Sequence, residues 1–139
     1  MITEDYVSFE TAKLLKEKGF DEYCSKYWTN VQDAPSCFGK GFRYKNSDNV
    51  YGSDNLYCCP TLHMTCKWLR KKYNIHVEPT PYVTTDGFFW AYKILGGIIA
   101  PNVIPLPNYC VKRLKESSGF LSCEQATEAA INYCLENLI

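Results

Sequence analysis

Hydrophobic residues recur with a helical period in three segments of the chain, and the first segment also carries the end signals of a helix. In SFETAKLLKEKGF, Ser8 suits the N-cap, Glu10 lies in the first turn and Gly19 suits the left-handed position after the last turn. Ala12 and Leu15 share one side of this segment, and charged residues occupy another. We therefore predict an amphipathic helix between Ser8 and Gly19.

The second helical segment contains PTLHMTCKWLRKKY, and we predict that it starts near Pro60 and ends near Asn74. Proline suits the first helical position because it has no N–H group to leave unpaired there. Extended back to Cys58, this segment has one continuous apolar arc on the helical wheel. The arc contains Cys58, Cys59, Leu62, Cys66, Leu69 and Tyr73. The cysteines are therefore predicted to be buried side chains of a helical core stripe.

The third segment, LSCEQATEAAINYCLENLI, has the clearest helical pattern. Ser122 and Gln125 have the spacing of a capping box, which marks a helix start. One apolar stripe runs along the segment, and polar side chains lie opposite it. The predicted stripe is Thr127, Ala130, Ile131, Cys134 and Leu138.

Residues 75–95 alternate with a period of two and are predicted to form a β-hairpin around an Asp86-Gly87 turn. That turn places Thr85 opposite Phe88. Pro79 and Pro81 cannot donate ladder hydrogen bonds, so the first arm is predicted to be an edge strand. The alternation assigns one set of side chains to the core. This set is Val77, Val83, Trp90, Tyr92 and Ile94.

Two other segments lack a regular period. Residues 29–56 are rich in Gly, Asn, Asp and Ser, and they form an irregular loop or contain a second hairpin around KNSDN. The preceding DEYCSKYW is either a short strand or a packed loop. Residues 96–119 contain three closely spaced prolines and are predicted to form an apolar surface connection, with a helical turn at 111–116.

Length and composition fit one folded domain. The chain has 139 residues, of which 46% are hydrophobic and 22% are charged, and it shows no internal repeat or linker. We therefore predict a single globular α+β domain over residues 1–139, with about three helices packed on one face of a small antiparallel sheet. Fifteen basic and fifteen acidic residues leave no net charge to attract nucleic acid or anionic lipid. No apolar run approaches the roughly 18–20 residues needed to cross a bilayer.

Eight cysteines are many for a chain of this length. The acidic start MITEDYVSFE lacks the pattern of a secretory signal, so we expect reduced thiols in a cytoplasm. Cys59, His63 and Cys66 have helical spacing and form an alternative zinc set. A structural zinc ion needs four ligands, usually as two pairs, and the chain has no CxxC or HxxxH pair. We therefore predict buried thiols, with neither a metal nor a cofactor.

The outer side of the second helix combines basic and apolar side chains. Trp68 lies off the main stripe, so it either packs on a second element, which we expect, or is exposed beside Met64 as a partner surface. The irregular loops add further aromatic residues, which favour recognition. Motifs of hydrolases, phosphate-binding loops and metalloproteases are absent from the sequence, so we expect binding rather than catalysis. The candidate binding residues are Met64, Lys67, Trp68, Arg70, Lys71, Arg43, Tyr44 and Tyr51.

Three blocks of the sequence, EDYVSFETAKLLKEKGFDE, PTLHMTCKWLRKKYNIHVEPTPYV and EQATEAAINYCLENLI, resemble short uncharacterised proteins of Bacteroides phages and prophages. The resemblance implies a cytoplasmic accessory protein of a bacterial host cell and implies no known reaction or ligand. The leading hypothesis is therefore a non-enzymatic protein that binds a host or phage protein. The alternative is a nucleic-acid-binding module that uses the basic helix face.

Overall fold

The structure, a computed structural model, describes residues 2–30, 33–52, 55–96, 109–110 and 119–139. The chain divides into two compact units, Met1–Thr61 (unit 1) and Leu62–Ile139 (unit 2). The α+β class is confirmed, since the described residues contain three α-helices and small antiparallel sheets. Two sheets form where the sequence predicted one, because the Cys58 region is a strand of its own sheet rather than part of a helix.

The first helix of unit 1, α1 (Phe9–Glu17), forms as predicted. The Ser8 hydroxyl caps it by accepting a hydrogen bond from the Thr11 N–H at 3.4 Å. Gly19 follows the helix with a φ of 86°, a left-handed conformation that costs glycine little. Thr11, Ala12 and Leu15 are buried, and the charged side of the helix faces solvent.

The sheet of unit 1 is built from very short strands. In the order β2–β1–β3, the strands β1 (Lys26–Trp28), β2 (Ser36–Cys37) and β3 (Tyr57–Cys58) pair antiparallel. The first of these confirms the strand reading of DEYCSKYW. Cys58 was predicted to lie on a helix, and this is wrong, because its backbone pairs with Tyr27.

The possible hairpin around KNSDN does not form. Asn46–Asp48 is instead a short 3₁₀ turn, in which the Asp48 carboxylate accepts from the Lys45 N–H at 2.9 Å. Asn49 then adopts a left-handed conformation. Short polar side chains form hydrogen bonds with backbone groups that would have paired with each other in a hairpin. Tyr44 pairs with Cys24 rather than with a neighbour in its own segment.

In unit 2, α2 (Leu62–Tyr73) begins two residues after Pro60. The predicted start near Pro60 is confirmed to within two residues, but Pro60 is not the first helical residue, because Thr61 still makes an extended bridge with Tyr6. Asn74 has a φ of 54° and ends the helix, with its N–H bonded to the Arg70 carbonyl at 3.0 Å. The predicted helix end is confirmed.

The long hairpin of unit 2 consists of β4 (Ile75–Thr84) and β5 (Gly87–Gly96), and its loop is Thr85-Asp86 rather than Asp86-Gly87. The register therefore pairs Val83 with Phe88, two residues from the prediction. Side chains alternate with a period of two, so this shift leaves each residue on its predicted face. The short β6 (Tyr109–Cys110) pairs with the other side of β5, which confirms β4 as an edge strand.

The last helix, α3 (Cys123–Asn137), packs against both arms of the hairpin. The Ser122 hydroxyl accepts from the Gln125 N–H at 3.1 Å, and the Gln125 side chain accepts from the Leu121 N–H at the same distance. The buried stripe is rotated slightly from the prediction, so that Thr127 and Leu138 are only half-buried. Its members are Ala126, Ala130, Ile131, Cys134 and Leu135.

The hairpin is buried at its open end and exposed at its turn. Ile75 and Ile94 are fully buried, whereas 76% of Val83 is exposed, so the predicted core role of Val83 is wrong. Each arm has 10 residues and spans about 33 Å, longer than the about 22 Å of the 15-residue α3. Helix α3 is therefore too short to cover the hairpin as far as its turn. The predictions for residues 97–118, including the helical turn at 111–116, lie outside the described residues except for β6.

Candidate functional site

The tryptophan–methionine surface on α2, which was the alternative to packing of Trp68, does not form. Trp68 is buried, with its ring edge-on to Tyr73 at 5.4 Å and the Lys72 ammonium 5.4 Å above it. Met64 is half-buried. Trp68 thus packs, as expected, and offers little surface for a partner.

The basic residues of α2 remain at the surface and form one stripe. His63, Lys67, Arg70 and Lys71 are spaced i, i+4, i+7 and i+8, which brings them to one side of a helix. Three of them are exposed, and Arg70 is half-buried. Among the described residues, no carboxylate pairs with Lys67, Arg70 or Lys71. We call these four residues the basic stripe.

The predicted loop residues lie in unit 1, on a surface that we call the loop patch (Tyr23, Phe42, Arg43 and Tyr44). The Arg43 guanidinium is exposed and donates to the Tyr23 carbonyl at 3.2 Å. The Phe42 and Tyr44 rings are nearly parallel, with centroids 6.4 Å apart. Phe42 and Tyr23 are 59% and 51% exposed, so this patch is aromatic and open. The side chain of Tyr51 lies outside the described part of the chain.

A third surface, which the sequence did not predict, lies at the turn end of the long hairpin. Val83 and Phe88 face each other across the strands and are 76% and 57% exposed. The next pair on the same face is Pro81 with Trp90, and the Phe88 and Trp90 rings meet edge to face at 5.9 Å. We call these four residues the hairpin tip. The position of the turn could have predicted this exposed surface from the sequence, because the turn of a long hairpin lies far from the helices that cover its base.

Among the strands that the structure describes, the outer edge of β4 beside the hairpin tip has no partner, and it is poorly suited to strand pairing. Proline lacks an N–H group, so within a ladder it is tolerated only where that group would point to the free edge. Pro79 and Pro81 alternate along β4 and therefore remove two successive donors from its outer side. The two prolines therefore disfavour strand pairing along this edge of β4 and leave side chains as the main means of recognition there.

The cysteine–histidine set does not assemble. Cys59 precedes α2, so the helical spacing assumed for Cys59, His63 and Cys66 does not apply. The Cys59 thiol donates to the Val7 carbonyl at 3.4 Å, and His63 is exposed. Burial raises the pKa of Cys66 to about 11, which keeps it as a neutral thiol. Over the described ranges, no group of three or more His, Cys, Asp or Glu side chains is placed to hold a metal ion.

Comparison with protein-family models, with curated proteins and with solved structures found no match to this chain. In the part of the chain that the structure describes, none of the helices combines the length and the apolar character that a membrane span requires. The assignment of candidate sites therefore rests on geometry alone. The three candidates are the basic stripe, the loop patch and the hairpin tip.

Proposed function

We propose that this protein acts by binding another protein and that the hairpin tip supplies the main apolar contacts. The observation that carries the proposal is the exposed cross-strand pair of Val83 and Phe88. Contiguous exposed apolar side chains are costly in water and mark interaction surfaces. Complete burial of a valine or phenylalanine side chain is worth about 1.5–3 kcal/mol, which is enough for this pair to anchor a complex.

The hairpin tip is held in one conformation before any partner arrives. Its backbone belongs to a continuous ladder that pairs all ten residues of one arm with the other. The edge-to-face contact between Phe88 and Trp90 orients the exposed ring. A preorganised surface loses little side-chain entropy on binding, so more of the contact energy contributes to affinity.

The chemistry of this surface indicates an apolar groove on the partner. All residues on the tip's face of β4 and β5 are uncharged, and the charged pair Glu78 and Lys93 lies on the opposite face. Strand addition is disfavoured by Pro79 and Pro81. We therefore propose that the tip inserts side chains into a groove rather than extending its sheet into the partner.

The proposed setting is the cytoplasm of a bacterial host cell, with a host or phage protein as the partner. The support for this setting is the resemblance of three sequence blocks to short proteins of Bacteroides phages and prophages. The physical support for binding is separate from it and comes from the exposed pair at the hairpin tip.

A paired-variant capture experiment in Bacteroides lysate tests this proposal. Wild-type protein and the Leu121→Ser variant are expected to recover the same partner, because Leu121 is as exposed as Val83 but lies outside the hairpin tip. The double variant Val83→Ser/Phe88→Ser is expected to lose that partner. Recovery of the same proteins by all three, or of nothing above background by wild type, would overturn the proposal.

A second candidate function, binding of nucleic acid, is favoured by the basic stripe. Its cations have no carboxylate partner among the described residues, and an unpaired basic helix face can neutralise phosphates. The test measures binding of a labelled oligonucleotide at 50 and 200 mM salt, about the range over which phosphate contacts weaken. Lys67→Gln/Lys71→Gln should weaken binding, and Lys13→Gln, an exposed lysine of α1, should not. Equal binding by both variants would exclude the stripe.

A further inference from the structure

One aromatic ring of unit 1 is presented to solvent in a fixed position by the segment FGKGFRYK (residues 38–45). Phe42 is 59% exposed, yet its ring lies nearly parallel to that of Tyr44, with centroids 6.4 Å apart. A backbone turn places it there, since the Phe42 N–H donates to the Gly39 carbonyl at 3.1 Å. A Cβ atom at Gly39 would stand 3.4 Å from the Phe42 ring, so the ring also rests against the turn. A ring held in this way loses little freedom when a flat ligand stacks on it.

Further aromatic rings connect this exposed ring to the sheet of unit 1. The Tyr44 and Phe38 rings meet edge to face with centroids 4.9 Å apart, and the Phe38 and Tyr27 centroids are 4.7 Å apart. Tyr27 lies on β1, and only 7% of Phe38 is exposed. The Tyr44 backbone is bonded in both directions to that of Cys24, at 2.7 and 3.0 Å. Phe42 is therefore the outer end of a rigid series of aromatic contacts.

Two cations adjoin the exposed ring in the chain. Lys40 and Arg43 are exposed, and among the described residues neither forms an ion pair with a carboxylate. The Arg43 guanidinium donates to the Tyr23 carbonyl at 3.2 Å, which fixes it through one of its N–H groups and leaves others for phosphate oxygens. Residues 38–45 contain no carboxylate, and Asp48 beyond them accepts a hydrogen bond from a backbone N–H. This segment therefore favours an anionic ligand.

The other exposed ring of the loop patch, that of Tyr23, is less suited to such a ligand. Asp21 and Glu22 directly precede it in the chain and are exposed. The Lys45 ammonium lies 5.5 Å from the centroid of the Tyr23 ring. That ring thus has a cation over it already and carboxylates beside it in the chain. Phe42 is the ring on which a ligand with negative charge can stack.

We propose that the loop patch binds single-stranded nucleic acid, with an unpaired base stacked on Phe42 and the adjoining phosphates on Lys40 and Arg43. Every base has a flat π-face, so an exposed aromatic ring beside cations suits this ligand whatever its sequence. A protein partner fits this segment less well, because lysine is depleted at protein interfaces. The site uses no residue of the hairpin tip or the basic stripe, so it is independent of the functions proposed above.

The test compares two labelled oligomers of equal length and charge, an oligothymidylate of about eight nucleotides and its abasic counterpart. Binding to the full chain is measured at about 50 mM salt. Phosphate contacts alone would bind both oligomers equally, whereas stacking requires a base. We expect the wild-type protein to prefer oligothymidylate by about tenfold and Phe42→Ala to remove that preference. Phe42→Trp should retain it, because it keeps an aromatic surface.

Two further variants separate stacking from charge. Phe88→Ala is the matched control for the exposed ring, since Phe88 is 57% exposed in unit 2, and it should bind like the wild-type protein. Arg43→Gln should weaken the binding of both oligomers and reduce the slope of log affinity against log salt by about 0.7, while the preference for the base remains.

The proposal is overturned if the wild-type protein binds the two oligomers equally or binds neither, or if Phe88→Ala loses the preference as well. Capture from lysate distinguishes a protein ligand. Loss of a captured protein by Phe42→Ala, with oligothymidylate binding unchanged, would assign the loop patch to a protein partner and overturn the proposal.

Discussion

The two units of this chain satisfy their buried backbone groups in different ways. In its described residues, unit 2 uses long regular elements, a hairpin with ten-residue arms and two helices, whose own hydrogen bonds pair most of their backbone. Unit 1 has one nine-residue helix and strands of only two or three residues. Its backbone therefore depends on side chains for many of its partners.

Several polar side chains in unit 1 hold distant segments together. The Trp28 indole N–H donates to the Val7 carbonyl at 2.9 Å. The Asn46 amide donates to the Phe20 carbonyl at 2.8 Å and accepts from the Cys58 N–H at 3.0 Å. Each of these contacts joins segments at least 12 residues apart in the sequence. Irregular chain thus gains a defined structure when specific polar residues replace the ladder of a sheet.

The largest expected effects are core truncations, which test whether both units also depend on apolar burial. Leu15→Ala in unit 1 and Ile131→Ala in unit 2 remove side chains that are fully buried, so each should cost about 2–5 kcal/mol in urea unfolding. Leu14→Ala is the control, since Leu14 is only half-buried. A loss below about 1 kcal/mol for Leu15→Ala would mean that unit 1 has no effective apolar core.

Alkaline pH should distinguish the thiols of the two units. Burial raises the pKa of Cys66 to about 11 and that of Cys134 to about 12, from an ordinary value of 9.0. Because the folded state keeps these protons while the unfolded state releases them, stability should fall as pH rises above about 9, by about 1.4 kcal/mol per pH unit for each thiol. In unit 1 the pKa of Cys24 is raised and that of Cys58 is lowered, so their effects oppose each other.

The measurement is the free energy of unfolding at pH 8 and pH 10. The double variant Cys66→Ala/Cys134→Ala should show a smaller loss between these pH values than the wild-type protein, whatever its absolute stability. An unchanged difference between the two pH values would show that these thiols do not control the alkaline behaviour.

Two asparagines test the role of side-chain hydrogen bonds more directly. Asn46→Ala leaves the Phe20 carbonyl and the Cys58 N–H without their partner, so it should cost about 1–3 kcal/mol. Asn137→Ala in unit 2 also removes an amide that donates to a carbonyl, at 3.1 Å from Tyr133, but this site is exposed at a helix end. We expect it to cost less than about 0.5 kcal/mol. Equal losses in thermal or urea unfolding would contradict the contrast between the units.

The smallest expected effect on stability is at the hairpin tip. Val83→Ser changes an exposed side chain, so it should alter the free energy of unfolding by no more than about 0.5 kcal/mol, whereas Phe88→Ser also removes the edge-to-face contact with Trp90 and should cost about 1 kcal/mol. Circular dichroism melting of the variants checks this. A large loss would show that the tip stabilises the fold and would remove the basis for assigning it to partner binding.

Local patterns predicted the helices well because helix ends depend on nearby residues. Ser8 and Ser122 cap the helices that follow them, and Asn74 lies at the end of α2. Prolines likewise identified β4 as an edge strand without knowledge of the neighbouring strand. The hairpin loop was misplaced by one residue on each arm, because Thr84 and Gly87 close the turn and both Asp86-Gly87 and Thr85-Asp86 satisfy the same alternation.

Predictions failed where distant residues decide the outcome. The helical wheel that included Cys58 gave the right burial for the wrong reason, because that residue is buried as part of a strand paired with Tyr27. The segment KNSDN became a 3₁₀ turn through its own side chains and through Asn46 contacts with Phe20 and Cys58. Of the candidate binding residues, Trp68 proved buried, while the exposed Val83 had been assigned to the core.

The sequence by itself determined the α+β class, the three helices with their caps and the face that each hairpin residue occupies, because these follow from periods and capping chemistry within a few residues. Only the tertiary structure decided which end of the hairpin is covered, that Val83 and Phe88 are exposed, and that the Cys58 thiol donates to the distant Tyr44 carbonyl. Those outcomes depend on the relative lengths of packed elements and on contacts between distant parts of the chain. A local sequence pattern cannot predict either of them.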